Sequence, residues 1–215
     1  MAKRRKVGNL MALVVLATLA ERPSHPYELA SLLRERGKDQ DLKIKWGSLY
    51  TVVQNLEKHG FIAATESVRQ GRRPERTVYA VTQAGLAELV DWMHELIAVP
   101  EREHTRFQAA LSVLPVLGPD EVMELLRRRA EALDAQIGEQ RSAVEESGRE
   151  LPRLFLVEAE YELALRTAEL AWVRGFLHEL TSGVLPGVAD WRRFHQTGEM
   201  PPELAEMAER GRVKE

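Results

Sequence analysis

Apolar residues recur at helical spacing along most of this chain. Residues 10–20 are almost entirely apolar and predict a buried first helix, although the basic start before them also imitates a secretory signal peptide. We interpret the run as a helix of the folded protein, because the pattern that follows needs it and it is too short to span a bilayer. Pro26 suits the first turn of a second helix, on which Leu29 and Leu33 keep one face apolar.

A third helix is predicted over residues 48–59. Leu49, Val53 and Leu56 fall at i, i+4 and i+7 and line one face, and we expect Ser48 to be the N-cap. The opposite face carries hydroxyl, amide and ammonium groups that can bond base edges or phosphates in a DNA major groove, but it would also suit an ordinary solvated surface. The candidate DNA-contacting residues of this helix are Ser48, Tyr50, Thr51, Gln54, Asn55 and Lys58.

Two short strands follow, at residues 61–68 and 76–81, with a turn broken by Gly71 and Pro74 between them. Arginines at the tip of a hairpin cannot contribute to a hydrophobic core, and they suit contact with a phosphate backbone or a minor groove. The outer arginines could instead pair with Glu66 or Glu75 across the hairpin. The candidate DNA-contacting residues here are Arg69, Arg72, Arg73 and Arg76.

The charge of the chain is divided unequally along its length. Residues 1–82 carry 15 Lys/Arg and 8 Asp/Glu, whereas residues 83–215 carry 15 Lys/Arg and 25 Asp/Glu. A basic N-terminal part joined to an acidic C-terminal part indicates a module that binds a polyanion and a second module that does not. A basic N-terminal arm, which we also expect to contact DNA, consists of Lys3, Arg4, Arg5 and Lys6.

The C-terminal part is predicted to be helical and to form a dimer. A long helix begins near residue 119, and a second over residues 153–182 has two apolar faces. A helix that is apolar on two sides must be buried on two sides, which in an antiparallel pair requires a partner chain. One of these faces carries Tyr161, Leu165, Ala168 and Trp172, and the other carries Leu156, Leu163, Leu170 and Leu177.

Aromatic residues of this part are candidates for an effector pocket. Their rings offer stacking surface and a polar handle, which a small aromatic ligand requires, although packing at a dimer seam is the simpler explanation of the cluster. The candidate residues are Tyr161, Trp172, Phe176 and Trp92. We also expect a short helix of the tail to dock on the body through Trp191, Phe194 and Met200.

Several motifs resemble those of the PadR family of bacterial transcriptional regulators. In chain order they lie at residues 25–29 (HPYEL), 47–50 (GSLY), 56–62 (LEKHGFI), 71–74 (GRRP) and 79–85 (YAVTQAG). The sequence departs from the family where Pro26 replaces the usual glycine and Thr51 the frequent proline. The resemblance implies that helix 48–59 is the recognition helix, that Tyr50 lies close to the DNA backbone and that Arg72 and Arg73 belong to the wing.

The sequence therefore predicts a mainly α fold with a small β-hairpin wing. Its expected parts are a winged helix-turn-helix DNA-binding domain with a basic arm at 1–98, an antiparallel helical dimerisation domain at 99–182, and a short helical or partly disordered tail at 183–215. The expected function is that of a cytoplasmic, homodimeric, ligand-responsive repressor that binds an inverted repeat in double-stranded DNA. The alternatives are a winged-helix protein-interaction module and a MarR-like regulator.

The sequence contains no motif that indicates an enzyme. There is no phosphate-binding loop or nucleophile elbow, and the absence of cysteine excludes disulfides and cysteine-built zinc sites. The six histidines are scattered without a metal-ligand spacing. We therefore expect no cofactor, no metal, no catalytic residue and no membrane partner.

Overall fold

The computed structural model describes residues 5–37, 46–68 and 76–199. The chain divides into two compact units, Met1–Glu103 and His104–Glu215. In the part of the chain that the structure describes, no helix is both long and apolar enough to cross a membrane.

The N-terminal unit begins with two helices, α1 (Leu10–Glu21) and α2 (Pro26–Glu35). The Asn9 side chain caps α1 by accepting a hydrogen bond from the Met11 N–H at 2.8 Å, and the His25 Nδ1 accepts one from the Glu28 N–H at 3.0 Å at the start of α2. Each cap satisfies a backbone donor that the first helical turn leaves without a partner. Half of α1 is buried, so the interpretation of residues 10–20 as a core helix is confirmed.

The third helix, α3, spans Leu49–Lys58 and follows a short 3-10 turn at Trp46–Ser48. Leu49, Val52, Val53 and Leu56 are all buried, as their spacing predicts. The prediction that Ser48 is a side-chain N-cap is wrong, because its side chain makes no capping hydrogen bond. Its backbone is already helical through the 3-10 turn, whereas a capping residue normally has an extended backbone.

Two antiparallel strands, β1 (Ile62–Val68) and β2 (Arg76–Val81), form the hairpin. Their register runs from Ile62 opposite Val81 to Val68 opposite Arg76, with a shift between Ala64 and Glu66. Ser24, between α1 and α2, adds a single bridge to Tyr79, in which each backbone N–H donates to the other residue's carbonyl at 3.0 Å. The bridge fixes the hairpin against the helices.

The helix α4 (Gln83–Ala98) leaves the hairpin through a close backbone contact. The Thr82 hydroxyl donates to the carbonyls of Gly60 and Phe61 at 2.7 and 3.1 Å, and it accepts from the Gly85 N–H at 3.0 Å. Gly85 therefore lies directly against the end of the α3–β1 connection. A Cβ atom at this position would stand 2.0 Å from the Phe61 carbonyl oxygen.

Replacing Gly85 with alanine is expected to lower the free energy of unfolding by about 1–3 kcal/mol, because the rigid backbone at Phe61 has to move away. Chemical denaturation would measure this loss. The matched control is Gly138→Ala, inside a C-terminal helix, where the added Cβ would meet no atom within 4 Å apart from its chain neighbours and the backbone of its own helix. The control should be neutral or stabilising by about 0.5–1 kcal/mol. Similar denaturation curves for both variants would show that the close contact at Gly85 does not limit the stability of the fold.

The C-terminal unit is built on two long helices, α6 (Pro119–Ser147) and α7 (Val157–Ser182), preceded by the short α5 (Arg106–Ser112). Short 3-10 turns lie at Leu114–Val116 and Arg153–Phe155. The long helices pack antiparallel, since Arg129 pairs with Glu169, and Gln140, later in α6, donates to Glu162, which comes earlier in α7. Their shared core contains Leu126, Leu133, Ile137, Leu170, Val173 and Leu180.

The two apolar faces of α7 differ in burial. The face that carries Leu156 and Leu170 is buried against the rest of the unit. On the other face, 66% of Tyr161, 53% of Leu165 and 48% of Trp172 are exposed. The single chain thus covers only one of the two faces that the sequence predicts to be buried.

The tail carries a short helix, α8 (Val188–Thr197), on the C-terminal unit. The Trp191 Nε1 donates to the Leu117 carbonyl at 2.8 Å, so Trp191 docks as expected. Phe194 is half-buried, and its ring meets that of His195 edge to face. Met200 lies outside the described residues.

Candidate nucleic-acid interface

The exposed face of α3 is the polar face that the sequence indicates. Beneath it, the apolar stripe of the helix is buried in the core of the N-terminal unit. The side chains on the outer face are free to approach a DNA groove without any rearrangement of the core. Exposed on this face are Tyr50, Thr51, Gln54, Asn55 and Lys58, with the partly buried Ser48 at the N-terminal end.

The C-terminal end of α3 is held in place by two contacts that the sequence analysis missed. The His59 Nδ1 hydrogen-bonds with the Asn55 carbonyl at 2.7 Å, and the Tyr79 hydroxyl donates to Glu57 Oε2 at 3.3 Å. Burial and the negative charge of Glu57 raise the pKa of Tyr79, so its phenol keeps the proton it donates. The second contact joins α3 to β2 and so fixes α3 relative to the hairpin.

The basic tip of the hairpin falls largely outside the described residues. Arg69, Arg72 and Arg73 belong to the segment 69–75, and their predicted contact with DNA remains a prediction. Arg76 is the first residue of β2. Its backbone pairs with Val68, which places it at the far end of the hairpin from the helices.

The N-terminal arm requires one correction. Lys3 and Arg4 lie outside the described residues, and Lys6 is exposed, as a DNA contact requires. The Arg5 side chain, in contrast, is only 4% exposed and forms ion pairs with three carboxylates of α4. Because these ion pairs occupy both terminal nitrogens of the guanidinium, they argue against the predicted contact of Arg5 with DNA.

The four aromatic residues predicted for an effector pocket do not form one group. Trp172 and Phe176 stack with their ring centroids 5.2 Å apart, whereas Tyr161 lies three helical turns away on α7 and is largely exposed. Trp92 is 5% exposed and is part of the core of the N-terminal unit, so its assignment to the pocket is corrected.

Phe107 completes the aromatic group and was missed by the sequence analysis. Its ring meets Trp172 edge to face at 5.9 Å, and the Arg129 guanidinium lies 3.8 Å from its centroid. The Arg129 Nε also donates to Glu169 Oε1 at 2.7 Å. Phe107 stands on a helix of only seven residues, where no apolar periodicity could single it out.

Next to this group, an apolar cleft of about 430 Å³ opens within the C-terminal unit. Arg129 is the charged residue in its wall, and the other side chains are apolar. The lining residues come from α5, the turn that follows it and the start of α6, and they include Phe107, Leu111, Leu114, Val116, Leu125 and Arg129. Among residues 5–37, 46–68 and 76–199, no cluster of three histidine or carboxylate side chains could hold a metal ion.

Known proteins match this chain most clearly in its N-terminal unit. Residues 15–91 match the sequence model of the transcriptional regulator PadR-like family. A probable transcriptional regulator from Mycobacterium tuberculosis is 32% identical over 85 residues, which are 38% of this chain and 42% of that protein's length. The negative transcriptional regulator PadR of Bacillus subtilis is 22% identical over 137 residues, 64% of this chain and 74% of that protein.

Solved structures share the fold over a longer stretch. Bacillus subtilis PadR in complex with operator DNA matches with a TM-score of 0.62 at 20% identity, covering 80% of this chain and 99% of the other. The same protein in complex with p-coumaric acid matches with a TM-score of 0.66 at 18% identity and the same coverage. Over residues 15–91, this chain therefore matches the PadR-like family, a family of transcriptional regulators.

Proposed function

We propose that this protein is a sequence-specific DNA-binding repressor that binds an inverted-repeat operator as a homodimer and is released by a small aromatic ligand. The observation that carries the proposal is the outer face of α3. Its amide, hydroxyl and ammonium groups are exposed while the opposite face is buried, and α3 is tied to a hairpin whose tip holds a run of arginines. Helix and wing together suit a major groove and the phosphates beside it.

The dimer is supported by the uncovered face of α7. Tyr161, Leu165 and Trp172 form a continuous apolar strip, and a face of this kind indicates a partner. A two-fold symmetric dimer presents two recognition helices in opposite orientations. The operator is then an inverted repeat whose half-sites lie about one helical turn, or a small multiple of it, apart.

The ligand response is supported by the apolar cleft of the C-terminal unit. Its volume of about 430 Å³ falls in the range of sites for small organic molecules. The Bacillus subtilis relative has been crystallised with p-coumaric acid, a small aromatic acid. A ligand that binds one dimer state more tightly shifts the protein towards it and can thereby weaken operator binding. Adding aromatic acids to an operator titration would test the response.

The proposal is tested first by titrating the protein into labelled DNA from upstream of its own gene. Binding at nanomolar concentration that survives excess unrelated DNA would support a sequence-specific regulator. Footprinting of the same fragment would show whether the protected region holds an inverted repeat. Equal affinity for upstream and unrelated DNA would contradict the proposal and favour a protein-interaction module.

Replacing Arg72 and Arg73 with alanine is expected to weaken binding to all DNA sequences. Each lost phosphate contact leaves one counterion unreleased, so the slope of log K against log salt should fall by about one unit per contact. The control is Arg141→Ala/Arg149→Ala, which removes two exposed arginines of the C-terminal unit and should leave the slope unchanged. Equal slopes in wild type and the wing variant would remove the wing from the interface.

A further inference from the structure

One face of α4 encloses the guanidinium of Arg5. The Arg5 Nη1 donates to Glu88 Oε1 at 2.7 Å and to Asp91 Oδ2 at 3.1 Å, and the Nη2 donates to Glu95. The three carboxylates stand at i, i+3 and i+7, which places them on the same side of the helix. Trp92 follows Asp91 on the same helix. The centroid of its ring lies 5.3 Å from the guanidinium carbon of Arg5, within the range of a cation–π contact.

These contacts bind Arg5 more firmly than an exposed ion pair would. Burial of the guanidinium by itself lowers the pKa of Arg5, but its hydrogen bonds to Glu88, Glu95 and Asp91 outweigh this, so the pKa lies above its ordinary value. Glu88 and Glu95 are themselves largely buried, and charges shielded from water are screened little by salt. Losing Arg5 would remove one positive charge that all three carboxylates share.

Between Arg5 and α1, successive side chains alternate between buried and exposed positions. Arg5 and Val7 turn towards the protein and are largely covered, whereas Lys6 between them is exposed. Asn9 then caps α1. The arm is thus attached at two successive inward positions, and the outward position between them carries a positive charge.

We infer that Arg5 is a positioning residue that fastens the basic N-terminal arm to α4, and that it serves DNA binding through this attachment and not through a contact of its own. The inference rests on the proposed function for its link to DNA, while the attachment itself stands on the contacts of Arg5. Fixing the arm reduces the conformational entropy that Lys3, Arg4 and Lys6 lose when they contact phosphate.

The sharpest test changes the carboxylates and leaves the arm intact. The variant Glu88→Gln/Glu95→Gln makes the DNA-binding unit more positive by two charges, which by general electrostatics would strengthen DNA binding. If Arg5 positions the arm, affinity for DNA should instead fall, by about three- to tenfold. The control Glu21→Gln/Glu28→Gln makes the same charge change at carboxylates paired with Arg36 and Arg22, and its affinity should stay equal or rise.

A thermodynamic cycle separates positioning from direct contact. Arg5→Gln should weaken DNA binding in the wild-type background but have little further effect when Lys3, Arg4 and Lys6 are already alanine. The control Arg22→Gln removes an exposed arginine of the same unit and should act equally in both backgrounds. If the effect of Arg5→Gln is instead the same in both backgrounds, Arg5 acts directly or through the fold, and the inference is overturned.

Limited trypsin digestion tests the attachment without DNA. Cleavage after Lys6, followed by mass spectrometry, should be at least about tenfold faster in the Glu88→Gln/Glu95→Gln variant, because the arm opens more often. Cleavage at other sites should keep its rate. Wild-type protein that binds no upstream DNA would contradict the proposed function while leaving this measurement valid. An unchanged cleavage rate after Lys6 would refute the attachment itself.

Discussion

Replacing Tyr161 and Leu165 together by glutamate is expected to make the protein monomeric and to weaken binding to a two-half-site operator by a factor on the order of 10²–10⁴. Both side chains are more than half exposed in the single chain, so charges there do not disturb its core. In a dimer built on this face, each protomer of the variant would bury two carboxylates against an apolar surface, where they have no hydrogen-bond or ion-pair partner. A monomer then binds one half-site and loses the linkage that places the second recognition helix.

The control for this experiment is Thr167→Glu. Thr167 is exposed on the same helix but lies well away from the apolar strip, so the substitution adds a similar charge without touching the proposed interface. Sedimentation should give a dimer for the wild type and Thr167→Glu and a monomer for the double variant, while single half-site affinity stays nearly equal in all three. A double variant that remains dimeric would place the interface elsewhere, and a monomeric wild type would end the dimer mechanism.

Features that depend on local periodicity were accessible from the sequence. The buried stripe of α3, the long helices α6 and α7 and the two strands of the hairpin all follow from spacing within single segments. The polar face of α3 was predictable for the same reason, since once Leu49, Val53 and Leu56 face the core the remaining positions must face outwards.

Features that depend on contacts between distant segments were not accessible. Arg5 looked like one of four equivalent basic residues, and nothing near it in sequence indicates the carboxylates 83 to 90 positions later that enclose it. Trp92 similarly looked available for a ligand, although its ring belongs to the N-terminal core. Ser48 failed as a cap for a more local reason, because the 3-10 turn before α3 gave it helical backbone angles.

Base recognition is the second large effect that we expect. Gln54 and Asn55 each carry an amide that can donate and accept at once, the pairing that suits the N6 and N7 edge of adenine in the major groove. Both side chains are exposed on α3. Replacing either with alanine should cost about 1–3 kcal/mol on the specific operator, and replacing both up to about 2–6 kcal/mol where the two contacts are independent.

Lys58 supplies the contrast that makes this test specific. It is exposed on the same helix, and we expect its ammonium to bind phosphate as a point charge and not to read a base. Lys58→Ala should therefore lower affinity for operator and random DNA by the same factor and reduce the salt slope by about one unit. Gln54→Ala and Asn55→Ala should lower operator affinity alone and leave the slope unchanged. If Gln54→Ala and Asn55→Ala behave like Lys58→Ala, the outer face of α3 contacts the DNA phosphates only. The sequence of the operator is then read by another part of the chain.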